Sequence, residues 1–125
     1  MKIIVVDDEP IIADTLVNIL EGEGHDALAV SHGDSAVKWA KLIRPDAIIS
    51  DVIMPGMDGI ETAKAILQVL PNCRIILFSG QAASSDLVAK ARAEGYSFEV
   101  LAKPINPDVL LQKLKGSDAG AAATR

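Results

Sequence analysis

Five short aliphatic runs, alternating with five stretches of helical spacing and joined by brief polar turns, predict an α/β protein. The expected architecture is one doubly wound parallel five-stranded sheet with right-handed crossovers. Two further observations point the same way. Half of the residues are hydrophobic but only Trp39, Phe78, Tyr96 and Phe98 are aromatic, so Ile, Val, Leu and Ala must fill the core, as layered α/β packing allows. The polar residues that end the runs also recur at the carboxyl ends of strands, where open parallel sheets bind ligands.

Each element has its own signals. Lys2-Ile3-Ile4-Val5-Val6 is a β-branched strand that stops at Asp7-Asp8-Glu9. Pro10 suits the first turn of a helix, where a missing N–H costs nothing, and Ile12, Leu16, Ile19 and Leu20 give that helix one apolar face until Gly22 and Gly24 end it. A second strand runs from Ala27 to Val30, and a helix from Ser35 to Leu42 is closed by Arg44-Pro45. Pro45-Asp46-Ala47-Ile48-Ile49-Ser50, which stops on Asp51, reads as a short apolar strand covered on both faces. The turn signals Pro55-Gly56 and Asp58-Gly59 follow, then a helix with Ile60, Ala63, Leu67 and Leu70 inward, stopped by Pro71-Asn72. Arg74 to Phe78 makes the fourth strand, Ser84 to Glu94 an Ala-rich helix ended by Gly95, and Phe98 to Ala102 the fifth strand. Pro107 to Lys115 makes the last helix, with Leu110 and Leu114 inward. Residues 116–125 lack a core-forming pattern and are expected to be a flexible tail or linker after a single domain over 1–115.

With 125 residues the chain can bury roughly two thirds of its unfolded surface, enough for a core without disulfides. The single Cys73 excludes an internal disulfide and a cysteine zinc site. No apolar run approaches the ~20 residues that cross a bilayer, and no secretory pattern follows Met1, so a cytoplasmic domain without membrane contact is expected. A net charge of −5 without a Lys/Arg cluster argues against direct nucleic-acid binding.

Asp51 alone would be read as an end cap of its strand. Beside it, however, the topology brings Asp7 and Asp8 from strand one, Ser79 from strand four and Lys103 from strand five to one edge of the sheet. Three carboxylates so placed repel unless a cation neutralises them, and an all-oxygen set suits Mg²⁺ better than zinc. Lys103 and Ser79 would hold phosphoryl oxygens, and Asp51 would be the nucleophile that forms an aspartyl phosphate. Asp58, followed by Gly59, reads as the cap of the third helix. His25, His32 and Cys73 lie away from the acidic edge and read as surface or inert groups, and Trp39 as partial core. Gly80-Gln81 is read either as a plain turn or as an opening that exposes the acyl phosphate.

Val5-Val6-Asp7-Asp8-Glu9, Asp51-Val52-Ile53-Met54-Pro55-Gly56-Met57-Asp58-Gly59, Phe78-Ser79-Gly80 and Ala102-Lys103-Pro104 together resemble the receiver domain of bacterial two-component response regulators. The resemblance implies a flavodoxin-like sheet of order 2-1-3-4-5. It also implies that Asp51 accepts a phosphoryl group from a histidine kinase or phosphotransfer protein and that Asp8, Asp51 and the Ile53 carbonyl ligate Mg²⁺, with Asp7 acting mainly through water. Ser79 and Lys103 would contact the phosphoryl oxygens. The output would be a population shift of the face built from helix four, strand five and helix five, read by a downstream effector or a homodimer partner. The chain departs from the pattern at Val100, where an aromatic usually stands three before the lysine, and in having Gly95 eight before Lys103 where seven is usual. Activation is therefore expected to use a smaller or different side-chain movement. Two other functions compete: a Mg²⁺-dependent phosphatase with an aspartyl nucleophile, and a degenerate receiver that serves only as a binding scaffold. The acidic pair that precedes Asp51 and the complete set of five polar residues favour the phosphorylated switch.

Overall fold

The structure, a computed structural model, describes residues 1–80 and 82–123, with side chains for 1–80 and 85–115. The elements in chain order are β1 (Lys2–Val6), α1 (Pro10–Gly22), β2 (Asp26–Val30), α2 (Gly33–Ile43), β3 (Ala47–Asp51), α3 (Gly59–Val69), β4 (Arg74–Ser79), α4 (Ala82–Ala93), β5 (Glu99–Ala102) and α5 (Pro107–Ala123). All strand pairs are parallel and the order is β2-β1-β3-β4-β5, the flavodoxin-like arrangement.

Alternation along the strands divides the core into two layers. Ile3, Val5, Ile49, Ile76 and Phe78 pack on one face with Leu16 and Leu20 of α1 and Leu110 and Leu114 of α5. Ile4, Val6, Ile48 and Leu77 pack on the other with Ala36 of α2, Ile66 of α3 and Val88 of α4. β3 is covered on both faces and buried along its whole length, with apolar residues at its first three positions and Ser50 and Asp51 at its end.

Several boundaries move. α2 opens at Gly33, two residues before the expected Ser35, and packs closely on α3 there: a Cβ on Gly33 would lie 2.1 Å from Thr62 Oγ1. α4 opens at Ala82, β5 begins at Glu99 instead of Phe98, and α5 continues to Ala123 past the expected stop at Lys115. Four alanines between 119 and 123 supply helix propensity that offsets Gly116 and Gly120. The side chains of the tail expected over 116–125 lie outside the described residues, as do residues 81, 124 and 125 altogether. No helix among the described residues is long and apolar enough to cross a membrane.

At the amino end of the sheet, Arg74 ties three elements together. Its guanidinium meets Glu99 at the start of β5 at 2.5 and 2.8 Å, and it donates to the carbonyl oxygens of Lys113 (2.7 Å) and Leu114 (3.1 Å) in α5. A planar fork with several donors suits that shared role.

Candidate functional site

The carboxyl edge of the sheet carries the chemistry. β1 delivers Asp7, only 3% exposed, whose N–H donates to the Val30 carbonyl (3.1 Å) and whose Oδ1 accepts from the Glu9 N–H (2.9 Å). That short turn leaves Asp8 half-buried beside it. β3 ends on Asp51, 8% exposed. Its backbone is closely held: the buried Ser50 hydroxyl donates to the Asp51 carbonyl at 2.9 Å, and a Cβ on Gly59 would lie 2.1 Å from the same oxygen. Only glycine lets α3 begin against that peptide. The turn then folds back so that the Ile53 N–H donates to Asp51 Oδ1 at 3.4 Å. β4 ends on Ser79, one residue past the register partner of Asp51, and the Lys103 N–H donates to the Ser79 carbonyl at 3.2 Å. From there the Lys103 side chain reaches Asp51, Nζ to Oδ2, at 2.6 Å.

One potential ligand oxygen from each of Asp7, Asp8 and Asp51 lies within 4.8 Å of the others. Burial pushes the Asp7 carboxyl above its ordinary pKa, and the charges of Asp51 and Asp8 add to the rise, against the Glu9 hydrogen bond and the Lys103 charge. Burial acts against the Lys103 ammonium, but its hydrogen bond and charge contact with Asp51, with further help from Asp7 and Glu9, raise its pKa overall. One ammonium thus faces several carboxylates. An all-oxygen set of this size and charge fits a hard divalent cation that keeps several waters, and no His or Cys belongs to it.

The structure therefore brings Asp7, Asp8, Asp51 and Lys103 into one cluster, places Ile53 on the turn over it and sets Ser79 on the neighbouring strand end. Asp58 stands apart in a capping box, its Oδ1 accepting from the Glu61 N–H at 2.8 Å while the Glu61 Oε1 accepts from the Asp58 N–H at 3.3 Å. Ser50 and Gly59 are the residues that sequence reading did not assign to the site. A hydroxyl inside a fully apolar run was the available signal for Ser50. Trp39 of α2 is 43% exposed and joins neither core layer, so it is not the partial core residue expected. Cys73 is half-buried, and burial pushes its thiol up to about 11, which agrees with an inert group.

Comparison with known proteins decides the family, since residues 3–115 match the response regulator receiver domain. The chain belongs to the receiver domains of response regulators. It is 29% identical over 114 residues to the DNA-binding response regulator MtrA of Mycolicibacterium smegmatis, covering 91% of this chain and 49% of that protein. Identity to the alkaline phosphatase synthesis transcriptional regulatory protein PhoP of Bacillus subtilis is 34% over 116 residues, covering 91% and 47%. The chain thus spans about half the length of the curated relatives it matches. Among solved structures, the chemotaxis protein CheY4 of Vibrio cholerae superimposes with a TM-score of 0.81 at 31% identity, covering 91% of this chain and 95% of that one. A receiver domain protein of Clostridium thermocellum reaches 0.86 at 25% identity, covering 99% and 98%.

In this receiver the register of β4 with β5 is unbroken, Leu77 opposite Val100 and Phe78 opposite Leu101, so no bulge brings Phe98 into the Val100 position. Phe98 is 7% exposed and lies before β5, stacked on Tyr96 with ring centroids 5.5 Å apart. Tyr96 in turn lies under Lys64 Nζ, itself paired with Glu94.

Proposed function

We propose that this domain is a phosphoacceptor switch in which Asp51 takes a phosphoryl group from the phosphohistidine of a histidine kinase or phosphotransfer protein. The observation that carries the reading is the pairing of Lys103 Nζ with Asp51 Oδ2 inside the Asp7, Asp8 and Asp51 cluster. An Asp51 carboxylate oxygen forms the new P–O bond as the donor's P–N bond breaks, and the electron pair leaves on the imidazole nitrogen, which takes a proton. Lys103 neutralises charge on the phosphoryl oxygens as they arrive, and Ser79 offers them a hydrogen bond. Asp7, Asp8, Asp51 and the Ile53 carbonyl would hold Mg²⁺, which supplies neutralisation and orientation of the phosphoryl oxygens. The added charge of about −1.5 to −2 is the signal.

A groove of about 640 Å³ between α1 and the β5–α5 turn, lined by Ile11, Ile12, Leu16 and Pro104, opens beside Glu9 and Lys103. It gives the donor protein an apolar seat next to Asp51. The α4–β5–α5 face is the proposed output, with Val100 moving in place of an aromatic ring, because Phe98 is held under Tyr96. Its reader is a downstream effector or a second copy. We place the functional domain at 1–115, in the cytoplasm, without nucleic-acid contact of its own in view of its acidity.

The test is acetyl phosphate labelling in Mg²⁺. One phosphoryl group per chain, absent in Asp51→Asn, is expected. Steady turnover of small phosphomonoesters would identify a phosphatase instead, and absence of any Mg²⁺-dependent label would identify a binding scaffold.

A further inference from the structure

We infer that the exposed side of α2, with the groove beside the start of β2, is a docking surface for an amphipathic helix of a partner protein that carries carboxylates along one flank. Trp39 is 43% exposed and Leu42 75%, and among the described residues they are the two large exposed apolar side chains that share one element. Three residues apart on a helix, they are neighbours on one face. Leu42 and Ile43 also line, with Ala27 and Leu28 of β2, a groove of about 430 Å³. An aliphatic side chain entering that groove would be covered by α2 on one side and by β2 on the other. Single exposed apolar residues are ordinary; a pair set against a groove is a place where a partner can remove apolar area from water.

Charge selects the occupant. Although the chain as a whole carries −5, Lys38 and Lys41 are exposed on α2, Arg44 is exposed at its end, and Lys2 lines the groove. Lys38 lies one turn from Leu42 and Lys41 one turn from Lys38, so the two ammonium groups follow the apolar pair along one side. None of these cations takes part in an ion pair among the described residues. Of the acids nearby, Asp34 accepts from the Ser35 N–H at 3.0 Å, Asp46 accepts from the Lys2 N–H at 2.8 Å, and Asp26 shares the groove with Lys2. A second copy on this face would set lysines against lysines, whereas an acidic flank meets them with opposite charge. A helix can follow α2 along its length, packing its apolar ridge beside Trp39 and Leu42 while its carboxylates reach Lys38 and Lys41. The groove lies where β1 and β2 begin, at the opposite end of the sheet from Asp51, so the seated helix leaves the phosphoacceptor edge open.

The inference does not depend on phosphoryl transfer, and Trp39, the only tryptophan of the chain, reports it directly. The probe is a peptide of about 16 residues, long enough to hold a helix, with Leu at i, i+3, i+4 and i+7 spacing and Glu along one flank; a second peptide carries Lys in place of each Glu. Titrated into the domain, the acidic peptide is expected to shift Trp39 emission to the blue, with a dissociation constant that rises about tenfold between ~0.05 M and ~0.3 M salt. Leu42→Ser should weaken binding about tenfold and Lys38→Glu about fivefold, while Lys90→Glu, the same change of charge at an exposed position of α4, should leave it within about twofold. Absence of binding, or equal binding of the two peptides, would overturn the inference. So would a loss in Lys90→Glu as large as that in Lys38→Glu, or a Trp39 shift that grows with protein concentration alone, which would give the face to a second copy.

Discussion

Lys103 Nζ reaches across β4 to lie 2.6 Å from Asp51 Oδ2, joining the exit of β5 to the end of β3. Its removal should leave Asp51 buried beside Asp7 and Asp8 with no counter-charge. Breaking a fully buried pair costs ~3–5 kcal/mol, and because the Lys103 side chain is 31% exposed, Lys103→Ala should cost roughly 1–2 kcal/mol in the metal-free domain. Mg²⁺ should restore most of that, read from urea unfolding with and without the ion. Equal destabilisation under both conditions would show that the cation does not enter the carboxylate cluster.

Asp7 binds a proton more readily in the folded chain than in the unfolded one, since burial raises its pKa. The folded state therefore carries more protons across the interval between the ordinary carboxylate pKa of ~3.9 and the raised value, and stability falls as pH rises through it. Asp7→Asn keeps an acceptor for the Glu9 N–H and removes the charge. The metal-free variant should melt higher than the unaltered domain at neutral pH, and the gain should vanish below pH ~4, where Asp7 is protonated in both states. Mg²⁺ affinity should fall in the same variant. A gain that persists at low pH would mean that packing, not charge, is responsible.

Phe98 is pinned by its stack on Tyr96 and by core contacts, which separates it from the switching position at Val100. Phe98→Ala should lower stability by ~3–5 kcal/mol, as large-to-small changes in a core do. In domains that remain folded, the initial labelling rate of Asp51 should change little. With a beryllofluoride mimic of the phosphoryl group, NMR should show Val100 shifting while the Phe98 ring keeps its contacts with Tyr96; rotation of Phe98 out of that stack would defeat the proposed output route.

Arg74 fastens α5 to the starts of β4 and β5 through Glu99 and the Lys113 and Leu114 carbonyls. Arg74→Ala leaves those acceptors without their charged donor, at a cost of ~1–3 kcal/mol. Hydrogen exchange should quicken at Leu110 to Lys115 more than at β1 or β3. Uniform acceleration over the sheet would show that the guanidinium supports the whole fold and not this helix.

Local chemistry was enough to read much of this receiver from its residues. An apolar run such as Ala47-Ile48-Ile49 between turn formers fits a strand covered on both faces, Asp58 before Gly59 signals a helix cap, and acidic or basic residues that end such runs gather at one sheet edge once the strands are parallel. The motifs around Asp7, Asp51, Ser79 and Lys103 then singled out the strand order and the family. Partners across the fold were another matter. Periodicity states which face a residue occupies but not which atom of a distant residue it meets, so the Lys103 contact with Asp51, the Arg74 fork onto α5 and the exposure of Trp39 depended on how the helices settled on the sheet.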